Sequence, residues 1–365
     1  MNKKLCLVQS ILVLALTWIS PSYSRCSTGI PRSHAGFSGM FVFGNSLFDS
    51  GNNNFLKCAF KANYSPYGID FPSHPPSNGR FTNGKNQADR IGELLGLPLV
   101  PTFSDPETKK IKISRGVNHA SAGSGILDST GSNLGVVGLN QQIRDFVAVT
   151  LPMLKDHRGC QDTAILEKDL FLITTGNNDF LINFFKRGSN VGMLQYFSHN
   201  LTSSLAIQLT RLYNAGARKF AFVGIGPMGC TPMARATVPN KACNKRLNYA
   251  ADYFNAQLLV MLNTIKPRLP GFQFVMVNIF KIALESIRNP SSAGFKDVSN
   301  SCCTLASDGV RCKQRGNVCT KRSSHLFFDG LHPTEAFYSI VATRAYKSTN
   351  RTEVFPYNLQ KLGQL

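Results

Sequence analysis

Met40-Phe-Val-Phe43 is a short, fully apolar run that stops at Gly44, and the same pattern recurs along the chain. The later runs are Asp169-Leu-Phe-Leu-Ile-Thr174, Lys219-Phe-Ala-Phe-Val223 and Phe272-Gln-Phe-Val-Met-Val277. Continuously apolar strands that end in glycine or a polar turn are typical of a parallel sheet covered on both faces. Helical patterns accompany them at residues 87–95, 139–154, 194–213, 246–265 and 333–346. This alternation of strands and helices predicts an α/β sandwich.

The composition is that of a globular protein. The chain has 365 residues, of which 43% are hydrophobic and 16% charged, and this balance excludes intrinsic disorder. Its length allows one large domain or two ordinary ones. The segments at 65–84 and 291–324, the first rich in Pro, Ser, Asn and Gly and the second in cysteine, are predicted to be loops. Because each lies between predicted elements, we interpret them as decorations of a single domain.

The N-terminus has the three regions of a secretory signal. Residues 1–4 are basic, residues 5–19 are mostly apolar, and residues 22–24 place small side chains two positions apart. The apolar run is too short for a membrane anchor, which needs about 20 residues, and no later stretch is long and apolar enough to span a membrane. We therefore predict a signal peptide at 1–24, a single domain at 25–365, and secretion to the extracellular space.

Secretion changes how the cysteines and the Asn-x-Ser/Thr motifs are interpreted. The adjacent Cys302-Cys303 pair suits tetrahedral zinc poorly, and an oxidising compartment favours disulfides. The cysteines after residue 24 are Cys26, Cys58, Cys160, Cys230, Cys243, Cys302, Cys303, Cys312 and Cys319. Their odd number leaves one thiol free or one intermolecular bond. The expected pairs are Cys230 with Cys243, and Cys302 and Cys303 with Cys312 and Cys319. Expected glycosylation acceptors are Asn63, Asn200 and Asn350.

Polar residues follow the predicted strands at the sheet edge where open α/β sheets bind ligands. Gly44-Asn-Ser46-Leu47 follows the first strand, and Gly176-Asn-Asn178-Asp179 follows the second. Asp329-Gly-Leu-His332 runs into the last helix. Each of these alone is an ordinary turn or capping sequence. Together, the serine, histidine, aspartate and asparagine would supply a nucleophile, a general base, a group that orients the base, and an oxyanion donor.

Four segments carry a resemblance to a known family. Residues 41–54, 116–125, 175–179 and 329–334 resemble, in this order, the serine, glycine, Gly-x-Asn-Asp and Asp-x-x-His-Pro blocks of plant-type GDSL lipases/esterases of the SGNH hydrolase superfamily. Further stretches that fit are 66–72, 79–84 and 226–230. The match covers nearly all of the chain after residue 24. The resemblance implies a three-layer α/β/α sandwich with a central, mostly parallel sheet (flavodoxin-like), and ester hydrolysis without a cofactor or metal.

The resemblance also implies a role for particular residues. Ser46 would be the nucleophile, His332 would take its proton and later activate water, and Asp329 would hold His332 in the correct tautomer. The oxyanion would be met by the backbone N–H groups of Ser46 and Gly123 and by the side-chain amide of Asn178. Gly123 is preferred to Gly125 on the alignment of the glycine block. Asp49 and Asn52 would line the pocket or support its loops. We interpret the remaining histidines as structural or surface residues: His34, His74, His119 (which lies within the glycine block), His157, His199 and His325.

Asn45 departs from the family pattern, which usually has aspartate directly before the serine. Asparagine keeps one carbonyl acceptor but has no charge. A hydrogen bond to a charged group is stronger than a neutral one by about 1–2 kcal/mol, which corresponds to roughly tenfold in rate. Because Asp329 fills the carboxylate role, we expect the substitution to leave proton transfer intact.

The expected activity is that of a secreted serine ester hydrolase of the plant apoplast or cell wall. Its substrates would be lipid, cutin-type or wall-polymer acyl esters. One alternative is an acyltransferase that uses an alcohol acceptor at the same site, as in cutin-type polyester synthesis. The other is a catalytically silent, basic wall-binding protein. The acyl-chain length of the substrate and the oligomeric state of the protein do not follow from the sequence.

The charge balance points to a further partner. The chain has 40 Lys and Arg against 20 Asp and Glu, a net charge of +20 that becomes +18 after loss of Lys3 and Lys4. Such an excess favours adsorption to acidic surfaces. In a plant wall an acidic polysaccharide such as pectin is the candidate partner, and a solvated surface without a partner is the alternative. Secretion and the lack of a binding motif argue against nucleic acid.

Overall fold

A computed structural model describes residues 31–72, 78–111, 113–186 and 191–365. The predicted signal peptide at 1–24, together with Cys26 and His74, lies outside the described residues. The strands are β1 (Gly39–Gly44), β2 (Asp169–Thr174), β3 (Lys219–Val223), β4 (Gln273–Val277), β5 (Asp297–Ser301), β6 (His325–Phe327) and β7 (Val354–Phe355). The α-helices are α1 (Gln87–Leu94), α2 (Leu139–Asp145), α3 (Leu151–Arg158), α4 (Leu194–Asn214), α5 (Pro232–Arg235), α6 (Lys245–Ile265), α7 (Ile279–Arg288), α8 (Glu335–Lys347) and α9 (Leu359–Gln364).

The central sheet has the strand order β1-β2-β3-β4-β7. The first four strands are parallel, as predicted, and β7 pairs antiparallel with β4. The glycine-rich segment runs along the outer side of β1: the Met40 N–H donates to the Arg115 carbonyl and the Val42 N–H to the Val117 carbonyl, at 2.9 and 3.1 Å. A segment second in chain order therefore lies outside the first strand, which is the flavodoxin-like arrangement.

Side chains alternate between the two faces of the sheet, and each face is covered by helices. Phe41 and Phe43 belong to one core with apolar side chains of α2, α3, α4 and α6. Met40 and Val42 belong to a second core with side chains of α1, α7, α8 and α9. The predicted three-layer α/β/α sandwich is confirmed, and the four parallel strands of the central sheet have apolar interiors because both of their faces are buried.

Two of the predicted helices differ in detail. The helix expected over 139–154 is interrupted by a wide π-turn at Phe146–Thr150 before α3. Pro152 follows this turn and has no N–H to donate, so the regular ladder cannot continue through it. The helix expected from Pro333 begins at Glu335, because the side chain of Thr334 accepts from the Phe337 N–H and caps it.

The segment at 291–324 was expected to be a loop, and this expectation was partly wrong. It contains β5, which pairs in parallel with β6. The alternating polar residues of β5 gave no apolar pattern, so its strand state depends on its partner. The two-residue β7 and the helix α7 were also not predicted.

A third, smaller apolar core joins the two segments that the sequence suggested were decorations. Its buried members are Ala62, Tyr67, Phe81, Ala122, Cys302, Cys303, Cys312 and Phe328. Disulfides link Cys230 to Cys243, Cys302 to Cys319 and Cys303 to Cys312, which confirms the expected pairs. Within the described residues, Cys58 is the free cysteine. Apolar packing thus joins the two segments, and the Cys302–Cys319 and Cys303–Cys312 disulfides close loops within the second of them.

Candidate active site

Ser46 stands at the end of β1 in a turn that requires glycine. Gly44 has a φ of 134°, and a Cβ atom there would lie 2.0 Å from the Thr174 carbonyl oxygen. Both the Phe48 and the Asp49 N–H donate back to the Asn45 carbonyl, at 3.0 and 2.9 Å, and close the turn. This geometry places Ser46 beyond the strand, with 6% of its surface exposed.

A chain of hydrogen bonds joins Ser46 to His332 and Asp329, which lie 286 and 283 residues further along the chain. The Ser46 Oγ is 2.8 Å from His332 Nε2, and His332 Nδ1 is 2.8 and 3.0 Å from the two carboxylate oxygens of Asp329. Asp329 is completely buried and His332 is 3% exposed. The structure therefore brings together the three residues that the sequence suggested as nucleophile, base and orienting group.

The local backbone fixes the carboxylate. Its Oδ1 accepts from the Leu331 and His332 N–H groups, at 2.8 and 2.6 Å, so the Asp-x-x-His spacing forms a compact turn. An ionised carboxylate can only accept, which places the proton of the neutral imidazole on Nδ1. His332 Nε2 is then an acceptor for the Ser46 hydroxyl. Such an arrangement can take the serine proton as the hydroxyl attacks a carbonyl carbon.

Two aromatic residues that the sequence analysis gave no role also contact this pair. The Tyr67 hydroxyl donates to Asp329 Oδ2 at 2.7 Å, and the Phe81 ring lies 5.0 Å from the His332 ring. Both residues fall in stretches, 66–72 and 79–84, that resembled the family. The resemblance therefore indicated both stretches, but their loop-like composition did not predict which residues they contact.

The candidate oxyanion groups face one cavity of about 240 Å³ together with Ser46 and His332. Gly123 has a φ of 87°, and a Cβ there would lie 2.5 Å from the Phe60 ring. The Asn178 amide donates to the Ser124 carbonyl at 2.8 Å, which orients the side chain and leaves its second N–H for a ligand. Gly125 lies instead against Asp179, where a Cβ would come within 2.5 Å of the carboxylate. The position of Gly123 supports the preference for it over Gly125.

Two buried carboxylates hold the loops around the cavity. Asp49 accepts from the Gly51, Asn52 and Ala122 N–H groups, at 2.8, 2.8 and 3.0 Å. Asp179 accepts from the Ile126 and Leu127 N–H groups and the Thr130 hydroxyl. Burial raises the pKa of each carboxyl to about 6, although these hydrogen bonds oppose the shift. Asp49 and Asn52 therefore support the loops, and neither is among the residues that line the cavity.

His119 belongs to the glycine block, but it is not among the residues that line the cavity. Its ring stacks between Phe43 and Phe103, with ring centroids 5.3 and 4.5 Å away, and its Nε2 lies 3.0 Å from the Thr150 hydroxyl. Burial lowers the pKa of His119 to about 3, so the ring is neutral. This agrees with the structural role expected for it.

Asn45 is fully buried and pairs with a second asparagine. Its Nδ2 donates to the Asn177 Oδ1, and its Oδ1 accepts from the Leu47 N–H at 3.1 Å. An aspartate at this position could accept from Leu47 in the same way, but could not donate to Asn177. The Asn177 amide would then have to rotate so that its NH₂ group faces the carboxylate.

The comparisons with known proteins decide the family. Residues 40–345 match the model described as GDSL-like Lipase/Acylhydrolase. The chain belongs to this family. Two GDSL esterase/lipases of Arabidopsis thaliana are each 36% identical to it: one over 342 residues, 90% of this chain and 88% of the relative, and one over 333 residues, 89% and 85%. A third, 34% identical over 366 residues, covers 97% of this chain and 96% of the relative.

This GDSL family member is a serine hydrolase that acts on carboxylic ester bonds. The resemblance based on the four motifs is thereby confirmed. In the part of the chain that the structure describes, no helix is long and apolar enough to cross a membrane.

Asn178→Ala is expected to lower kcat about 100- to 1,000-fold with little change in KM, because the amide N–H would strengthen its bond only as negative charge develops on the substrate oxygen. Steady-state kinetics on a p-nitrophenyl ester measures both constants. Asn133→Ala, at an exposed asparagine outside the cavity, is the matched control and should retain wild-type values. A loss below threefold in Asn178→Ala would show that the oxyanion is bound elsewhere.

Asn45→Asp is expected to change kcat/KM by no more than about tenfold, because the residue supports the turn and does not contact the Ser46 hydroxyl or His332 in the structure. Parallel kinetics of the variant and the wild type measure the effect. A gain of 100-fold or more would mean that the buried amide pair restrains the native enzyme, and a comparable loss would mean that the pair is essential.

Proposed function

We propose that this chain is a secreted serine esterase that cleaves carboxylic esters through an acyl-enzyme on Ser46. The observation that carries the proposal is the hydrogen-bond chain from Ser46 through His332 to Asp329. The Ser46–His332 and His332–Asp329 distances are both 2.8 Å, and the chain lies beside a cavity that the side-chain amide of Asn178 also lines. The predicted signal sequence and the disulfides support the secreted location.

The first half-reaction forms the acyl-enzyme. The Ser46 oxygen attacks the ester carbonyl carbon while His332 Nε2 takes its proton, and Asp329 stabilises the resulting imidazolium. The developing oxyanion is met by the N–H groups of Ser46 and Gly123 and the amide of Asn178. When the tetrahedral intermediate collapses, His332 gives the proton to the leaving alcohol and the ester C–O bond breaks.

The second half-reaction releases the acid. Water donates a proton to His332 Nε2 and attacks the acyl carbonyl carbon. As the second tetrahedral intermediate collapses, the bond between the acyl carbon and the Ser46 oxygen breaks, His332 returns the proton to that oxygen, and the carboxylic acid leaves. Each group is restored at the end of the cycle, so no cofactor is needed.

An acyl group is the best fit for the cavity. Its lining is mainly apolar, and the side chains other than those with assigned chemistry are Phe60, Phe81, Ala122, Leu181, Ile182, Met233, Val310, Arg311 and Leu331. Burial of methylene groups against such a surface is favourable by about 0.8 kcal/mol each. The substrate class is therefore an ester of a hydrocarbon acid, such as a lipid, a cutin-type ester or an acylated wall polymer.

A p-nitrophenyl ester series of increasing acyl length, with and without an added alcohol, tests this function. We expect free acid as the main product, and kcat/KM that rises with acyl length until the chain exceeds the cavity. A new ester formed with the added alcohol as the main product would instead identify an acyltransferase. Folded enzyme that hydrolyses none of the series but binds wall polymers would identify a silent binder.

Three segments that contribute residues to the cavity are rich in basic residues, which supports binding to an acidic wall polysaccharide. Phe60, Met233 and Arg311 line the cavity. These residues belong to the segments 57–61, 233–246 and 308–315. The acidic residue of these segments is Asp308, which pairs with Arg311 at 2.7 Å. Their basic residues are Lys57, Lys61, Arg235, Lys241, Lys245, Arg246, Arg311, Lys313 and Arg315. Retention on polygalacturonate at low salt and release by salt is expected. Free passage at low salt would exclude this partner.

A further inference from the structure

Tyr67 lies completely buried behind the catalytic carboxylate. Its hydroxyl donates to Asp329 Oδ2 at 2.7 Å and accepts from the Cys312 N–H at 3.1 Å. The hydroxyl thus has one fixed acceptor and one fixed donor. The Leu331 and His332 N–H groups donate to Oδ1 and Tyr67 donates to Oδ2, while the His332 Nδ1 lies 2.8 Å from Oδ2 and 3.0 Å from Oδ1. Tyr67 is the side chain that completes the hydrogen bonding of the carboxylate.

The position of the hydroxyl is set by packing around the ring. Three aromatic rings meet the Tyr67 ring edge-on: Tyr64, Phe81 and Phe328, with centroid distances of 5.3, 5.7 and 5.8 Å. Phe81 in turn contacts the His332 ring. Edge-to-face aromatic pairs restrict ring orientation and add stability beyond their buried area. The donor to Asp329 is therefore held in place before any substrate binds.

The other partner of the hydroxyl is held by a disulfide. Cys312 is bonded to Cys303, whose N–H donates to the Phe328 carbonyl at 2.9 Å, directly before Asp329 in the sequence. The Tyr64 hydroxyl donates to the Cys312 carbonyl at 3.1 Å. The cysteine-rich loop and the segment around residue 67 thus form one support behind the catalytic pair.

We propose that Tyr67 is a positioning residue for the Asp329–His332 pair, fixed by the loop that the Cys303–Cys312 disulfide closes. The inference rests on the proposed function, since it assigns Tyr67 to the same site. A hydrogen bond from Tyr67 disperses part of the negative charge of the carboxylate and prevents its rotation away from His332. Without it, the carboxylate turns more freely, and its charge is directed more fully at the imidazolium.

Besides the His332 ring, whose protonation the acid limb reports, the titratable groups around Tyr67 and Asp329 keep one protonation state near neutral pH. Burial raises the pKa of Tyr64, and burial raises that of Tyr338, whose ring is fully buried and lies near Asp329. The hydrogen bond to Asp308 raises the pKa of Arg311. Although burial of the Asp308 carboxyl acts in the opposite direction, the same bond lowers the pKa of Asp308. Further away, Asp49 and Asp179 titrate alike in the wild type and in a variant at 67. A difference between the two pH profiles therefore reports on Tyr67.

Tyr67→Phe keeps the ring and removes the hydroxyl. We expect kcat to fall about 10-fold, with KM within twofold of the wild type, because substrate does not contact the residue. We expect the acid limb of the kcat–pH profile to move to higher pH by about half a unit, since the imidazolium is stabilised more strongly. Tyr357→Phe is the matched control: the same change at a half-buried tyrosine outside the cavity, whose hydroxyl donates to Gln273 Oε1 at 2.8 Å. It should leave kcat and the profile unchanged.

Incorporation of 3,5-difluorotyrosine at position 67 tests the same bond without loss of packing. A stronger phenol donor should move the acid limb to lower pH, opposite to Tyr67→Phe. Folded variants with unchanged profiles would overturn the inference, and so would a fall in kcat that follows Tm with no shift of the acid limb. An active wild type that is insensitive at position 67 refutes only the role of Tyr67, whereas an inactive wild type refutes the proposed function.

Discussion

Ser46→Ala is expected to reduce kcat for ester hydrolysis by on the order of 10⁶-fold, to near the background rate, while the protein stays folded. The alanine has no oxygen to attack the carbonyl carbon. His332 then has no proton to accept at Nε2, from which the serine oxygen is 2.8 Å away. Because the side chain contributes one hydrogen bond and little buried area, we expect Tm to change by only a few degrees. The measurement is ester hydrolysis together with thermal unfolding.

Ser132→Ala is a matched control for this experiment. Ser132 is an exposed serine outside the cavity, and its hydroxyl donates to the Ser129 carbonyl, at 3.2 Å. This variant should retain wild-type activity. Substantial hydrolysis by purified, folded Ser46→Ala would mean that another residue is the nucleophile.

Asp329→Asn has the second largest expected effect, a fall in kcat of about 10⁴-fold. Its carbonyl oxygen can keep the bonds from the Leu331 and His332 N–H groups, which leaves the NH₂ group opposite His332 Nδ1 and the Tyr67 hydroxyl. A donor would then face the imidazole, so the neutral ring must carry its proton on Nε2. A protonated Nε2 cannot accept from Ser46, and the hydroxyl is no longer activated.

Single-turnover kinetics would locate this effect in acylation. Asp128→Asn, at an exposed aspartate outside the hydrogen-bond chain, is the control and should behave as the wild type. Retention of more than a tenth of the wild-type kcat in Asp329→Asn would show that the orientation of His332 depends on other groups.

The sheet was readable from sequence because four of its strands are buried on both faces. Runs such as 170–173 are apolar without interruption, and this signal does not depend on distant partners. β5 has no such run, since its strand state comes from pairing with β6, and β7 has only two residues. The π-turn at Phe146–Thr150 also escaped prediction, because the apolar spacing of a helix continues through it.

The candidate catalytic residues were predictable for a different reason. Ser46, Asn178 and the Asp329–His332 pair all follow sheet strands or precede a helix, where the chain itself fixes their direction. Tyr67 and Phe81 reach the site from a loop, and what directs them is a packed cluster with residues more than 200 positions away. Local sequence contains little information on such long-range packing, so their contacts required the structure.

The most direct test of the account is mass spectrometry after reaction with a fluorophosphonate, which phosphonylates an activated serine with loss of fluoride. We predict one adduct per chain, located on Ser46, with hydrolytic activity lost in proportion to labelling. The adduct should be absent in Ser46→Ala and strongly slowed in Asp329→Asn. An adduct at another residue, or none on folded enzyme that hydrolyses esters, would contradict the assignment of Ser46 as the nucleophile.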